Sequence, residues 1–136
     1  MTALAGPLAM GGERVELRIG DQVLRVEIAG TPAQRTQGLM GRAPLRADEG
    51  MLFVFPGDDI RCLWMRDTPS ALAAAFITAD GVILNLAEMQ PQTDTRHCSR
   101  APARYALETA TGWFSRRSIA AGTKIQGLAA VPPALR

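Results

Sequence analysis

Val15, Leu17 and Ile19 alternate with Glu16 and Arg18, the two-residue period of a strand with one covered face. After Gly20-Asp21 the pattern resumes, with Leu24, Val26 and Ile28 alternating with Val23, Arg25 and Glu27. The two runs predict a hairpin with one wet face. Thr31-Pro32 predicts a helix start, because a threonine oxygen can cap free N–H groups and proline fixes φ where no N–H is needed. Gly38 and Gly41 limit that helix to about Met40. From Met51 to Phe55 the apolar run is unbroken, so both faces of that strand are expected to be covered. Pro56-Gly57-Asp58-Asp59 reads as a turn into a second strand, Ile60 to Met65, paired antiparallel with the first.

Beyond the Arg66–Ser70 loop, Leu72 to Ala79 reads as a buried strand, and Asp80-Gly81 as the hairpin turn into Val82, Leu84 and Leu86. Gln90 to Pro102 is the longest irregular stretch. Tyr105 and Leu107, alternating with Arg104 and Glu108, predict another strand. A short helix near Trp113 and a last strand near Lys124–Leu128 follow. About eight short strands with one or two short helices predict a mainly β fold, a small barrel or jelly-roll-like sandwich. Strands do not alternate with long helices, which disfavours a parallel α/β sheet.

Length then bounds the organisation. A chain of 136 residues is read as one domain able to bury roughly 68% of its unfolded surface. The expected division is a flexible arm or export-segment remnant at 1–12, a single β domain at 13–128, and a frayed C-terminal tail at 129–136. The formal charge is only +2 and the arginines are scattered, which argues against nucleic acid as a partner. No apolar run approaches a transmembrane span.

Candidate chemistry is sparse. Cys62 and Cys98 would be free thiols in a reducing compartment and can pair in an oxidising one. A Cys62–His97 nucleophile pair with Asp94 can be drawn, but nothing in the spacing holds the groups together. No metal-ligand spacing is present and no cofactor is expected. Trp64 shares one strand face with Cys62 and Arg66 and reads either as core or as the floor of a pocket. On the pocket reading, Arg42, Glu49, Trp64, Arg66, Asp67 and Thr68 form a ligand-binding rim, the Arg42–Glu49 and Arg66–Ser70 loops meeting at one end of the central pair. Arg42 and Glu49 read equally well as a surface ion pair.

The ordered motifs Arg35-x-x-Gly38-Leu39-Met40-x-Arg42, Glu49-Gly50-Met51-Leu52-Phe53-x-Phe55, Trp64-Met65, Phe76-Ile77 and Asp80-Gly81, then Pro102–Glu108 and Gly112-Trp113, span most of the chain. Together they resemble the prokaryotic domain-of-unknown-function family 192. The resemblance implies a compact β fold of barrel or jelly-roll type and a place in the cell envelope or periplasm, and it carries no established activity. Asp67, Ala73 and Ala110 stand where that family usually has Asn, Asp and Asn.

The leading expectation is a small extracytoplasmic module whose rim pocket binds a small, partly anionic molecule. The alternatives are an enzyme, such as a hydrolase using Cys62 or a carboxylate, and a structural domain contacting an envelope protein through a sheet edge. A concave site holding a carboxyl with a strongly raised pKa would favour the enzyme.

Overall fold

The structure is a computed structural model and describes residues 13–136; the expected N-terminal arm lies outside the described residues. Among the described residues, nine strands and two short helices make the fold mainly β. In chain order these are β1 (Arg14–Ile19), β2 (Gln22–Ala29), α1 (Pro32–Gln37), β3 (Glu49–Asp59), β4 (Cys62–Leu63), β5 (Leu72–Ile77), β6 (Ile83–Met89), β7 (His97–Cys98), β8 (Ala103–Ala110), α2 (Trp113–Arg116) and β9 (Ile125–Gln126). Seven of the strands form one curled sheet in the order β6-β5-β8-β3-β2-β1-β9, and β4 with β7 form a separate two-stranded flap.

The expected β1–β2 hairpin is present, with Leu17 opposite Leu24. The pairing expected for the central strands is not. β3 lies parallel to β2 and antiparallel to β8, and the segment after it pairs instead with β7. Pro56-Gly57 does not turn the chain. It sits in an irregularity where β3 takes five steps, Val54 to Asp59, against two on β8, Tyr105 to Ala103. Proline cannot donate to a ladder and is tolerated at such a bulge, so a turn-like dipeptide lies inside a strand. The parallel β2–β3 pair needs a crossover, and α1 supplies it. Thr31 and Gln34 cap α1 reciprocally, each side chain bonding the other residue's backbone N–H.

The two faces of the sheet bury different things. The face enclosed by the curl holds Leu17, Leu24, Val26, Leu52, Ala75, Leu107 and others, closed by Trp113 and Phe114 of α2 packed edge to face. The two outermost strands meet at one end, where Val82 bridges Lys124 and the Ile125 N–H donates to the Gly81 carbonyl. Gly81 is required there, since a Cβ would stand 2.9 Å from the Ile125 oxygen. The outer face carries Met51, Phe53, Ala74, Phe76 and Ala106, covered by Leu39 after α1 and by Leu63 and Met65 of the flap. At the C-terminus, the Leu135 N–H donates to the Gly30 carbonyl.

Candidate functional site

The outer layer does not close completely. Between the segment 35–40 and the flap lies a cleft of about 360 Å³, walled by Leu39, Phe53, Leu63 and Trp64, with Arg35, Arg66 and Arg96 around it and Glu108 lining it. Each wall has a local cause. Gly38, at φ +47°, ends α1 and turns the chain along the cleft; a Cβ there would press on the Phe53 ring at 3.3 Å. Arg35 fixes that wall by donating to the carbonyls of Gly30, Val54 and Leu135. Its guanidinium is held below the ordinary arginine range, by burial first and by Arg61 second.

The opposite wall is the flap. Cys62 lies directly opposite Cys98, and the two form a disulfide. The alternation expected around Trp64 holds: Cys62, Trp64 and Arg66 are exposed while Leu63 and Met65 are buried. Trp64, at 40% exposure, is therefore a wall residue, and the core tryptophan is Trp113. The Arg66 guanidinium stacks over the Trp64 ring at 4.5 Å, and its Nε bonds Asp94 at 3.1 Å. Arg96 stands 5.4 Å from the same ring centroid. Thr68, buried, donates its hydroxyl to the Arg66 carbonyl, which shapes the loop beneath the cleft.

Glu108 is the unusual group. Its β8 neighbour Leu107 enters the enclosed core, so Glu108 itself points to the outer face, in one row with Met51 of β3 and Ala74 of β5. Only 4% of it is exposed, and burial alone pushes its carboxyl up to about 8. Among the described residues no ion pair compensates it.

The expected rim constellation is thus divided. Trp64, Arg66 and Thr68 line the cleft. Arg42 and Glu49 border a different concavity of about 410 Å³ with Arg14, Arg25, Glu27 and Arg46. There Arg42 bonds Glu27 at 2.6 Å rather than Glu49, and the Glu49 carboxylate accepts the Arg46 N–H. Asp67 borders neither; in the left-handed region at φ 55°, its carbonyl accepts the Gly41 N–H at 2.9 Å. That bond joins the Arg66–Ser70 loop to Gly41, just before the Arg42–Glu49 loop, but the side chains of the two loops line different concavities. Ala73 faces the enclosed core, so a polar residue there would not reach the cleft. The disulfide removes Cys62 as a nucleophile paired with His97. Among the described residues no cluster of His, Cys, Asp and Glu could hold a metal ion.

Sequence reasoning missed Glu108, Arg96, Arg35 and Phe53, all of which line the cleft. Glu108 was hidden because Arg104 and Glu108 alternate with Tyr105 and Leu107 like the wet face of a half-buried strand.

Residues 15–127 match the family DUF192, described as Uncharacterized ACR. The chain therefore belongs to DUF192. A solved structure from Sinorhizobium meliloti 1021, described as a candidate transcription regulator, is similar at 35% identity and TM-score 0.79, over 85% of this chain and 92% of that one. A protein of unknown function from Novosphingobium aromaticivorans DSM 12444 is similar at 30% identity and TM-score 0.83, over 93% of each chain. No curated protein matches.

Proposed function

We propose that this DUF192 member is a small extracytoplasmic binding module, and that its site is the cleft over Glu108, which takes a small, partly anionic molecule. The observation that carries the reading is Glu108: a carboxyl nine-tenths buried, without an ionic partner, lining an open cleft. An unpaired buried carboxyl costs stability, and functional sites are where such costs are retained. Arginines around the cleft supply the attraction for an anionic group, and the exposed indole supplies apolar area. The flap disulfide supports an oxidising compartment.

The test is a thermal-shift screen of small metabolites on the native chain, on Glu108→Ala and on Arg42→Ala. Anionic hits should stabilise the native chain and Arg42→Ala but lose most of their effect on Glu108→Ala. Stabilisation that persists in Glu108→Ala and also in Trp64→Ala would remove the cleft as the site.

Glu108 also favours a second reading. A carboxyl that keeps its proton to about pH 8 is suited to act as a general acid, which makes an enzyme the alternative. It stands second because the one candidate thiol is bridged and no nucleophile–base pair adjoins Glu108 among the described residues. Turnover of any stabilising hit, followed by NMR and abolished in Glu108→Gln, would reverse the order.

A further inference from the structure

We infer, on the reading that the cleft is a binding site, that its ligand is a small carboxylate carrying a neutral carbonyl on an apolar body: the carboxylate lies at the Trp64–Arg96 rim, and the carbonyl accepts a hydrogen bond from Glu108. The orientation follows from what each end can stabilise. Glu108 lines the cleft together with Phe53, Leu39 and Leu63 and stands in a row with Met51 and Ala74, an apolar setting in which an unpaired anion is costly. A protonated carboxyl there offers one O–H donor, and the ligand group that satisfies it is a neutral acceptor.

A cationic group could pair with an ionised Glu108, but every charged side chain lining the cleft besides Glu108 is an arginine. Arg35 comes from α1, Arg66 from the end of the flap after β4, and Arg96 from the approach to β7. Three guanidiniums repel a cation before it can reach the carboxyl. They are not equivalent towards an anion. Arg35 spends its donors on three carbonyls, and Arg66 is bonded to Asp94. Arg96 has no carboxylate partner among the described residues and stands beside the Trp64 ring, so it is the guanidinium open to a two-pronged carboxylate contact. Between the two polar ends the walls are Phe53, Leu39, Leu63 and the indole, which fit an aliphatic or flat apolar body.

The experiment uses the full, oxidised chain labelled with 15N. The Trp64 indole N–H reports the cleft. The Trp113 indole N–H, bonded to the Ala47 carbonyl, is the internal control. The probes are a series of linear ω-1 oxo acids of increasing chain length, the matching alkanoates without the ketone, and the matching neutral ketones, each titrated at pH 6.5 and pH 9. One or more oxo acids should shift Trp64 but not Trp113 and bind about tenfold more tightly than the partner lacking either group. Affinity should fall about tenfold from pH 6.5 to pH 9 as Glu108 loses its proton. Glu108→Gln keeps a donor and should bind without that fall, and Arg96→Ala should weaken the oxo acid to the level of the neutral ketone. Alkanoates binding as well as oxo acids, the same pH dependence in Glu108→Gln, or no oxo acid moving Trp64 would overturn the inference. Metabolites that stabilise the native chain but not Glu108→Ala would still leave the cleft standing as a site, so the two failures are distinguishable.

Discussion

Glu27 and Glu108 stand in one row across the outer face of the sheet, with Met51 between them. Both are almost fully buried, and their surroundings treat them in opposite ways. Glu27 meets a guanidinium at 2.6 Å, at the margin where β2 leaves the covered part of the face. Glu108, two strands further in, meets apolar side chains and an open cleft. The first is an ion pair that holds the 42–49 loop on the sheet. The second is a carboxyl left unpaired by the fold, and that contrast with a structural contact made of the same residue type is what the proposed site rests on. The enclosed face of the same sheet sharpens the point, because among the described residues it buries no carboxyl, and its one buried polar side chain opposite Ala73, Thr109, donates to the Ala110 carbonyl.

If the enclosed face is the structural core and the outer face the functional one, truncations should separate them. Trp113→Ala empties the closure of the curl and loses the indole bond to Ala47, and it should cost about 4–5 kcal/mol in denaturant unfolding. Phe53→Ala, whose ring already borders an open cleft, should cost less, about 3 kcal/mol. Equal losses would mean that the two faces are packed alike.

The flap gives the next effect. Opening the Cys62–Cys98 bridge with the double change to serine should lower stability by about 3 kcal/mol. Acrylamide quenching of Trp64 should rise while Trp113 stays protected, because the bond ties together the two strands that Trp64 and Arg96 directly adjoin. Unchanged quenching would show that the flap holds its shape without the bridge.

Arg42→Ala tests the other glutamate. With the Arg42 side chain 26% exposed and that of Glu27 8%, the loss should be about 2 kcal/mol, below that of a fully buried pair. The Trp64 indole resonance should not move. A shifted indole would show that the two concavities communicate.

Much of this fold was legible in the chain. The period-two runs around Leu17, Leu24 and Tyr105, the proline at the start of α1 and the continuous apolar run from Met51 all became the elements they predict. The order of strands was not legible, because Pro56-Gly57 has the composition of a turn and the geometry of a bulge, and only long-range pairing with β8 decides between them. The site was half legible for the same reason. Trp64 and Arg66 share one face by alternation and Thr68 follows in the next loop, so short range alone brings these three together. Arg96 and Glu108 join them only because the flap folds back over β8, a long-range placement that alternation does not encode. Alternation even misled, since a polar residue in every second position of β8 looks solvated when the covering layer comes from elsewhere in the chain.

Glu108 is a buried carboxyl with no ionic partner among the described residues, and its titration shows whether its surroundings keep it neutral. Its folded value of about 8 lies above the ordinary 4.5, so the folded state holds the proton more tightly than the unfolded chain. The stability it permits is therefore fully present below the ordinary carboxylate range and is lost as pH rises to about 8. At about 1.4 kcal/mol per unit, that loss is roughly 3–5 kcal/mol, and Glu108→Gln should remove it. The measurement is the 13C chemical shift of the Glu108 side-chain carboxyl against pH, assigned with the Gln variant. A midpoint near 8 is expected; a midpoint between 4 and 5 would mean that Glu108 is solvated or paired in the folded protein and is not a neutral donor in the cleft.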